Sequence, residues 1–341
     1  MQSVLNVRMT ESVWDQAVLP VSRGGLGIRA ATHVALPAFL SSVTSAESLT
    51  VQLLPPRLHP SAGTSDPLFE QAVTEWQLRS NAVLPNLPHR AIQKSWDSPL
   101  LDVLSARVLS AAQTQAGFAR LTAAAAPFAG AFLEAIPCSA VGTRMDNSSF
   151  RIAVALRLGA EICSPHNCIC GAPVDSSGVR HSPVNGITKR ALASADVPAR
   201  LEPSSLSRDD GKRPDGMSLM PWKEGRCLIW DFTCADTLAQ SHLDRAVLRA
   251  ATVADDAEQR KRQKYVSLSA TYYFVPICIE TLGPMGEEAA AFFADVGQRI
   301  ATATGEPRSK TFLMQRLSIA VQQGNAACVL GTVPVSTDLY I

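Results

Sequence analysis

This 341-residue chain lacks a charge bias: 31 Lys and Arg stand against 30 Asp and Glu, a formal net charge of +1. That balance excludes a histone-like or polybasic-tail protein. It leaves nucleic-acid binding open, because affinity for phosphate follows local basic patches. Long hydrophobic runs are also missing. The longest, LTAAAAPFAGAFLEAI at 121–136, is Ala-rich and broken by Pro127 and Glu134. It is shorter than the ~20 residues a spanning helix needs. The opening MQSVLNVRMTESVWDQ brings acids early and holds no uninterrupted apolar stretch, so no secretory signal is expected. An intracellular, soluble chain is the resulting expectation. No internal repeat period is visible.

Apolar residues make up 46% of the chain, enough for about two domains with real cores and too many for a disordered protein. The eight cysteines are expected to stay reduced, and those in apolar runs to act as small core residues. Composition changes near residue 150. Before it, helical patterns are separated by the Pro-rich joints LLPPRLHPSAGTSDP at 53–67 and NAVLPNLPHR at 81–90. Helices are expected at Leu68–Ser80 and Pro99–Thr114, the latter burying Leu100, Leu101, Leu104, Val108 and Ala111 on one face. Residues 1–150 thus read as a helical region without a catalytic pair. Beyond it, helices predicted at Val184–Asp196, Leu238–Tyr265, Glu287–Thr304 and Lys310–Gly324 alternate with strand-like runs at 227–234, 272–282 and 327–333. This alternation predicts an α/β fold, a sheet flanked by helices.

The most informative segment joins Arg213-Pro214-Asp215-Gly216 to Leu228-Ile229-Trp230-Asp231-Phe232-Thr233 through Lys223-Glu224-Gly225. Lys-Glu-Gly between apolar runs predicts a tight β-hairpin turn. A turn centred near residue 224 sets Asp231 opposite about residue 217, bringing Asp215 and Asp231 within one step of each other. Alternation puts Leu228, Trp230 and Phe232 on one face and Ile229, Asp231 and Thr233 on the other. Two close carboxylates suit a divalent cation such as Mg²⁺ (or Mn²⁺), completed by water and substrate phosphate. The run Arg260-Lys261-Arg262-Gln263-Lys264-Tyr265 supplies cations on a helix, with Lys261, Lys264 and Tyr265 at i, i+3 and i+4 on one face.

The strings GKRPDG, WDFTCADTL, EQRKRQKY, PICIETLGPMG and MQRLSIAVQQGNAA resemble the restriction-enzyme-like endonuclease region that follows reverse transcriptase in site-specific non-LTR retrotransposons. The resemblance runs over about residues 155–333. It implies a PD-(D/E)XK nuclease with a mixed sheet, acting on DNA, in company with element RNA, and nuclear in location. Asp215 and Asp231 fall on the family's metal-binding acids. The lysine expected two residues after the second acid is replaced by Thr233, which turns attention to Lys261 or Lys264, with Tyr265 adjacent. LPVSRGGLGI at 19–28 is similar to the segment downstream of the polymerase core in such reading frames. It is not a phosphate-binding loop, since no strand precedes it and no GK[ST] follows.

There are departures from the family pattern. No polymerase active-site motif is present; Val253-Ala254-Asp255-Asp256 mimics one but lies in a helical stretch. The family's zinc-knuckle-like cluster survives as Cys163, His166, Cys168 and Cys170, with His181 as a further ligand candidate, but its closing His-x-x-x-Cys has no counterpart. Four ligands for a structural Zn²⁺ can still be assembled, although C-x-C spacing crowds one tetrahedron. Two other readings of the same residues stay open. One is a nucleic-acid-binding module without chemistry; the other is an inert retroelement fragment.

Overall fold

The computed structural model describes residues 9–55, 66–162, 166–167, 173–174, 184–206 and 213–332. Two units divide the chain: Trp14–Pro20 with Leu26–Ala112, and Met1–Val13 with Val21–Gly25 and Gln113–Ile341. The change in composition near residue 150 therefore falls inside the larger unit. Among the described residues, no helix is long and apolar enough to cross a membrane.

The smaller unit is helical. After α1 (Glu11–Val18), which straddles the division, come α2 (Ala31–Leu53), α3 (Pro67–Ser80) and α4 (Gln93–Ser110). Asp66 caps α3 by accepting from the Leu68 N–H at 2.9 Å, with Pro67 at the first helical position. Asn81, at φ 48°, ends it in the left-handed region. Helix α4 starts six residues before the expected Pro99. Pro99 costs a helical hydrogen bond, but its loss is offset by Trp96 one turn earlier. That indole is fully buried, meets Trp76 edge-on at 5.0 Å, and donates to the Arg90 carbonyl at 2.7 Å. The apolar stripe is as expected at Leu101, Leu104 and Val108, all buried, whereas Ala111 only caps the end.

The larger unit opens with α5 (Gln115–Ala124) and α6 (Asn147–Leu158), capped by Thr114 and Asp146. Arg157 of α6 reaches the 21–25 segment, donating to Val21 O at 2.7 Å and Gly25 O at 3.0 Å. Then follow α7 (Val184–Ser194) and strands β1 (Ala199–Leu201), β2 (Gly216–Lys223) and β3 (Arg226–Ala235). Helices α8 (Leu243–Ala246) and α9 (Thr252–Lys264) lead to β4 (Tyr273–Glu280), α10 (Glu287–Thr304) and α11 (Ser309–Thr332). These four strands form one mixed sheet in the order β1-β2-β3-β4, antiparallel except for the parallel β3/β4 pair, and His166–Asn167 pairs separately with Pro173–Val174. Pro276 sits in β4, at the edge of this sheet, where a missing N–H is tolerated.

Side-chain alternation sorts the two faces as the sequence predicts. Leu228 and Trp230 join α7, α10 and α11 in the main core, with Phe232 packed against it. On the opposite face Ile229 meets Tyr265 and Phe274, and Cys278 meets Ala254 and Ala257 of α9. The architecture is mixed α/β, with helices on both faces of the sheet.

Two elements differ from expectation. The helix predicted over Leu238–Tyr265 is broken, because Ala251 takes φ 67° and α9 starts afresh at Thr252. Of the strand expected at 327–333, residues 327–332 are the last part of α11, and Val333 lies outside the described residues. Its buried positions Gln322, Asn325, Ala326 and Val329 keep helical spacing, which a short apolar run does not reveal by itself.

Candidate active site

The hairpin turn is Glu224-Gly225, at φ 53° and 71°, closed by the pair Lys223↔Arg226. Two left-handed residues make the two-residue turn that matches strand twist. Farther from the turn the register moves. Pro221 pairs with Cys227, then Met217 with Ile229 and Gly216 with Trp230. This corrects the expected pairing of Asp231 with residue 217. The irregularity around Pro221, which has no N–H for the ladder, takes up extra residues in β2. Ser218 fills the gap, its hydroxyl accepting from Leu228 N at 2.8 Å and donating to Met220 O at 2.6 Å. The shift brings the acids closer than the simple arithmetic did. Asp215 lies just before the Gly216↔Trp230 pair, so the register carried one step on sets it against Asp231, and its N–H donates to Trp230 O at 2.9 Å.

Asp231 is buried between β3 and α9, with 6% exposure. Its carboxylate is surrounded by α9. Lys261 Nζ donates to Oδ2 and, at 3.1 Å, to Phe232 O. Lys264 Nζ stands 3.8 Å from Oδ2, and the Tyr265 hydroxyl, with one proton to give, lies 3.2 Å from Oδ1 and 3.1 Å from the Arg213 carbonyl. The i, i+3, i+4 spacing does bring all three side chains to one carboxylate. Lys261 is the more buried lysine, at 12% side-chain exposure against 32% for Lys264.

Asp215 is half-buried, and burial raises its pKa above the usual carboxylate value. The Phe232 N–H, donating to Oδ2 at 2.6 Å, pulls the other way. The Asp231 charge raises it further, while Asn185 and Lys261 lower it. Asn185, in the first turn of α7, is a site residue that the sequence did not disclose. Its Oδ1 accepts from Trp230 Nε1 at 3.2 Å, and its side chain hydrogen-bonds Asp215. Since an indole N–H only donates, the amide NH₂ is left to face the carboxylate. No motif marks a lone Asn at a helix start. Gly216 completes the arrangement: a Cβ there would lie 2.0–2.4 Å from ring atoms of Trp230, so the indole occupies the space a side chain would need.

Two further buried acids, unremarked in the sequence, fix the helices around the site. Glu280 at the end of β4 accepts the Val253 and Ala254 N–H groups of the α9 N-terminus at 3.2 and 3.3 Å. Glu258 of α9 in turn accepts the Glu288 and Ala289 N–H groups of α10 at 3.0 and 2.9 Å. A Cβ at Gly286 would collide with the Glu258 carboxyl, 2.2 Å away, so only glycine lets the acid reach that helix end. Anions suit these positions because the first helical N–H groups have no partner within the helix.

Burial nevertheless drives the Glu258 pKa to about 7, against the pull of the Ala289 and Glu288 N–H groups. A raised carboxylate pKa means that the folded protein binds this proton more tightly than the unfolded chain. Stability from this group is therefore full below the ordinary value of 4.5 and falls as pH rises to about 7. Thermal melts should show a lower transition temperature at pH 7.5 than at pH 5. Glu258→Gln is expected to flatten that slope, and an unchanged slope in this variant would reassign it to another group.

The donor set also bears on the metal expectation. Among the described residues, no three His, Cys, Asp or Glu side chains cluster around one point. Two carboxylates, one on β3 and one just before β2, fit Mg²⁺, which is commonly held through one or two carboxylates with water and substrate phosphate filling the remainder. For zinc, Cys163, Cys168, Cys170 and His181 lie outside the described residues, as does the His166 side chain. Val253–Asp256 forms the first turns of α9, where Asp255 Oδ1 accepts from Glu287 N at 3.0 Å. No family model matches the chain, and no curated protein does.

Proposed function

We propose that the larger unit is a metal-dependent nuclease of the PD-(D/E)XK type, cleaving DNA phosphodiesters. The observation that carries this reading is the meeting of Asp215, Asp231 and Lys261, brought from the bend that leads into β2, from β3 and from α9. A mixed sheet flanked by helices agrees with it, as does the resemblance of residues 155–333 to retrotransposon endonucleases. Asp215 and Asp231 would hold Mg²⁺ or Mn²⁺. When bound, such an ion supplies a water of lowered pKa and positive charge beside the phosphate.

The remaining roles belong to the protein. Lys261 carries a compact ammonium at the second acid, suited to orienting a water and offsetting charge on the phosphate. Tyr265 holds the Asp231 carboxylate in its rotamer through Oδ1, and Asn185 does the same for Asp215. Lys264, farther away and more exposed, is placed to meet backbone phosphate.

Nicking of supercoiled plasmid by the purified chain with Mg²⁺ or Mn²⁺ is the test. Cutting should be metal-dependent and lost in Asp215→Asn and in Asp231→Asn. Lys264→Ala should keep cutting while the salt dependence of DNA binding drops by about one phosphate contact's worth of slope. Binding without cutting by the wild type would favour a non-catalytic nucleic-acid module. Neither binding nor cutting would favour an inert fragment.

A further inference from the structure

The helical unit contains a cleft that plays no part in the function proposed above. It has a volume of about 260 Å³ and lies between the start of α2, the end of α3 and the middle of α4. Leu36, Leu100, Leu101 and Leu104 supply an apolar wall. The charged lining is Arg29, Arg79, Arg107 and Asp97, three cations against one anion. Asp97 is already taken: Arg29 grips it with both terminal nitrogens, at 2.6 and 2.8 Å. Arg79 pairs with Glu75, and Arg107 stands 3.6 Å from Asp15, both through exposed arginine side chains. Exposed pairs of this kind contribute little and exchange partners easily.

Two other observations converge on the same wall. Arg29 Nε and His33 Nδ1 are buried without a hydrogen-bond partner; the guanidinium N–H calls for an acceptor, and the imidazole nitrogen for a polar partner. The N-terminus of α2, where Thr32 and His33 line the cleft, has no side-chain cap, leaving its positive end to an anion.

We propose that this cleft binds a phosphate monoester carried on an apolar or aromatic body, a nucleoside monophosphate being the class that fits. Three arginines against one aspartate line the cleft; Glu75 and Asp15, which pair with Arg79 and Arg107 at its exposed rim, would yield to a monoester phosphate of charge roughly −1.5 to −2. The planar fork of an arginine suits phosphate oxygens, and the leucine wall suits the face of a base. The volume sits just below the ~300 Å³ at which ordinary small-molecule sites begin, so the cleft takes one nucleotide. That nucleotide is either free or the 5′-phosphorylated end of a strand.

Isothermal titration of the full chain with adenosine 5′-monophosphate tests the proposal, with adenosine and inorganic phosphate titrated alongside. One saturable site is expected for the monophosphate, with each half of the molecule binding at least about tenfold more weakly. Arg79→Gln and Arg107→Gln should each weaken the monophosphate about tenfold by removing a charge-assisted contact. Val103 lines the cleft and is 41% exposed, so Val103→Trp should block the site without disturbing the core. Asp231→Asn should leave this binding unchanged, which separates it from the nuclease reading. Competition by a 5′-phosphorylated oligonucleotide, but not its 5′-hydroxyl counterpart, would identify the strand end as occupant; no competition would identify the free nucleotide. The proposal is overturned if the monophosphate gives no saturable binding at millimolar concentration. It is equally overturned if inorganic phosphate binds as tightly, or if both arginine variants and Val103→Trp bind like the wild type.

Discussion

Lys261→Met is expected to destabilise the larger unit by about 3 kcal/mol and to abolish any metal-dependent cutting. The reason is the position of its partner. Asp231 is buried, and Lys261 is the cation in hydrogen-bond contact with its Oδ2. Removing one member of a buried pair strands the charge of the other, which costs far more than the pair itself contributes. The Tyr265 hydroxyl and the more distant Lys264 remain, so the loss belongs at the lower end of the ~3–5 kcal/mol seen for broken buried pairs. Lys264→Met should cost less than about 1 kcal/mol, since its ammonium is partly exposed and 3.8 Å away. Urea denaturation of the two variants checks the contrast. The double variant Lys261→Met with Asp231→Leu should recover much of the lost stability while staying inactive. Equal stability of the two lysine variants would mean that the Asp231 charge is held by something other than Lys261.

Gly216→Ala is expected to cost about 1–3 kcal/mol, a large effect for a single added methyl group. The new Cβ would sit 2.0 Å from a ring carbon of Trp230, a fully buried residue that has no free space to retreat into. Either the indole leaves its place in the main core or the β2 backbone moves away from β3. The first breaks the Trp230–Asn185 hydrogen bond; the second displaces Asp215, the neighbouring residue. Both routes disturb Asp215, so loss of cutting should accompany the loss of stability. Gly225→Ala is the informative comparison. Nothing lies within 4 Å of a Cβ there, and only its φ of 71° opposes the change. That strain should cost about 1 kcal/mol and leave the acids in place. A melting temperature for Gly216→Ala equal to that of the wild type would show that the hairpin is looser than its register implies.

The sequence by itself determined the local elements and which residues share a face. Turn chemistry at Glu224-Gly225 and the alternation from Leu228 to Thr233 are properties of neighbouring residues. Period and propensity therefore sufficed to set Trp230 and Asp231 on opposite faces of the strand, although which helix covers each face was decided by the fold. The same holds for Lys261, Lys264 and Tyr265, whose common face follows from helical geometry alone. Only the tertiary structure decided the register, because the irregularity at Pro221 depends on how β2 lies against β3, and no turn rule contains it. Tertiary packing also decided that residues 327–332 are helical, since a short apolar run takes the period of whatever surface buries it. Asn185, Glu258 and Glu280 belong to the same class. Each acts on a group 26 or more residues away in the chain, and a lone polar residue shows its partner only after the chain has folded.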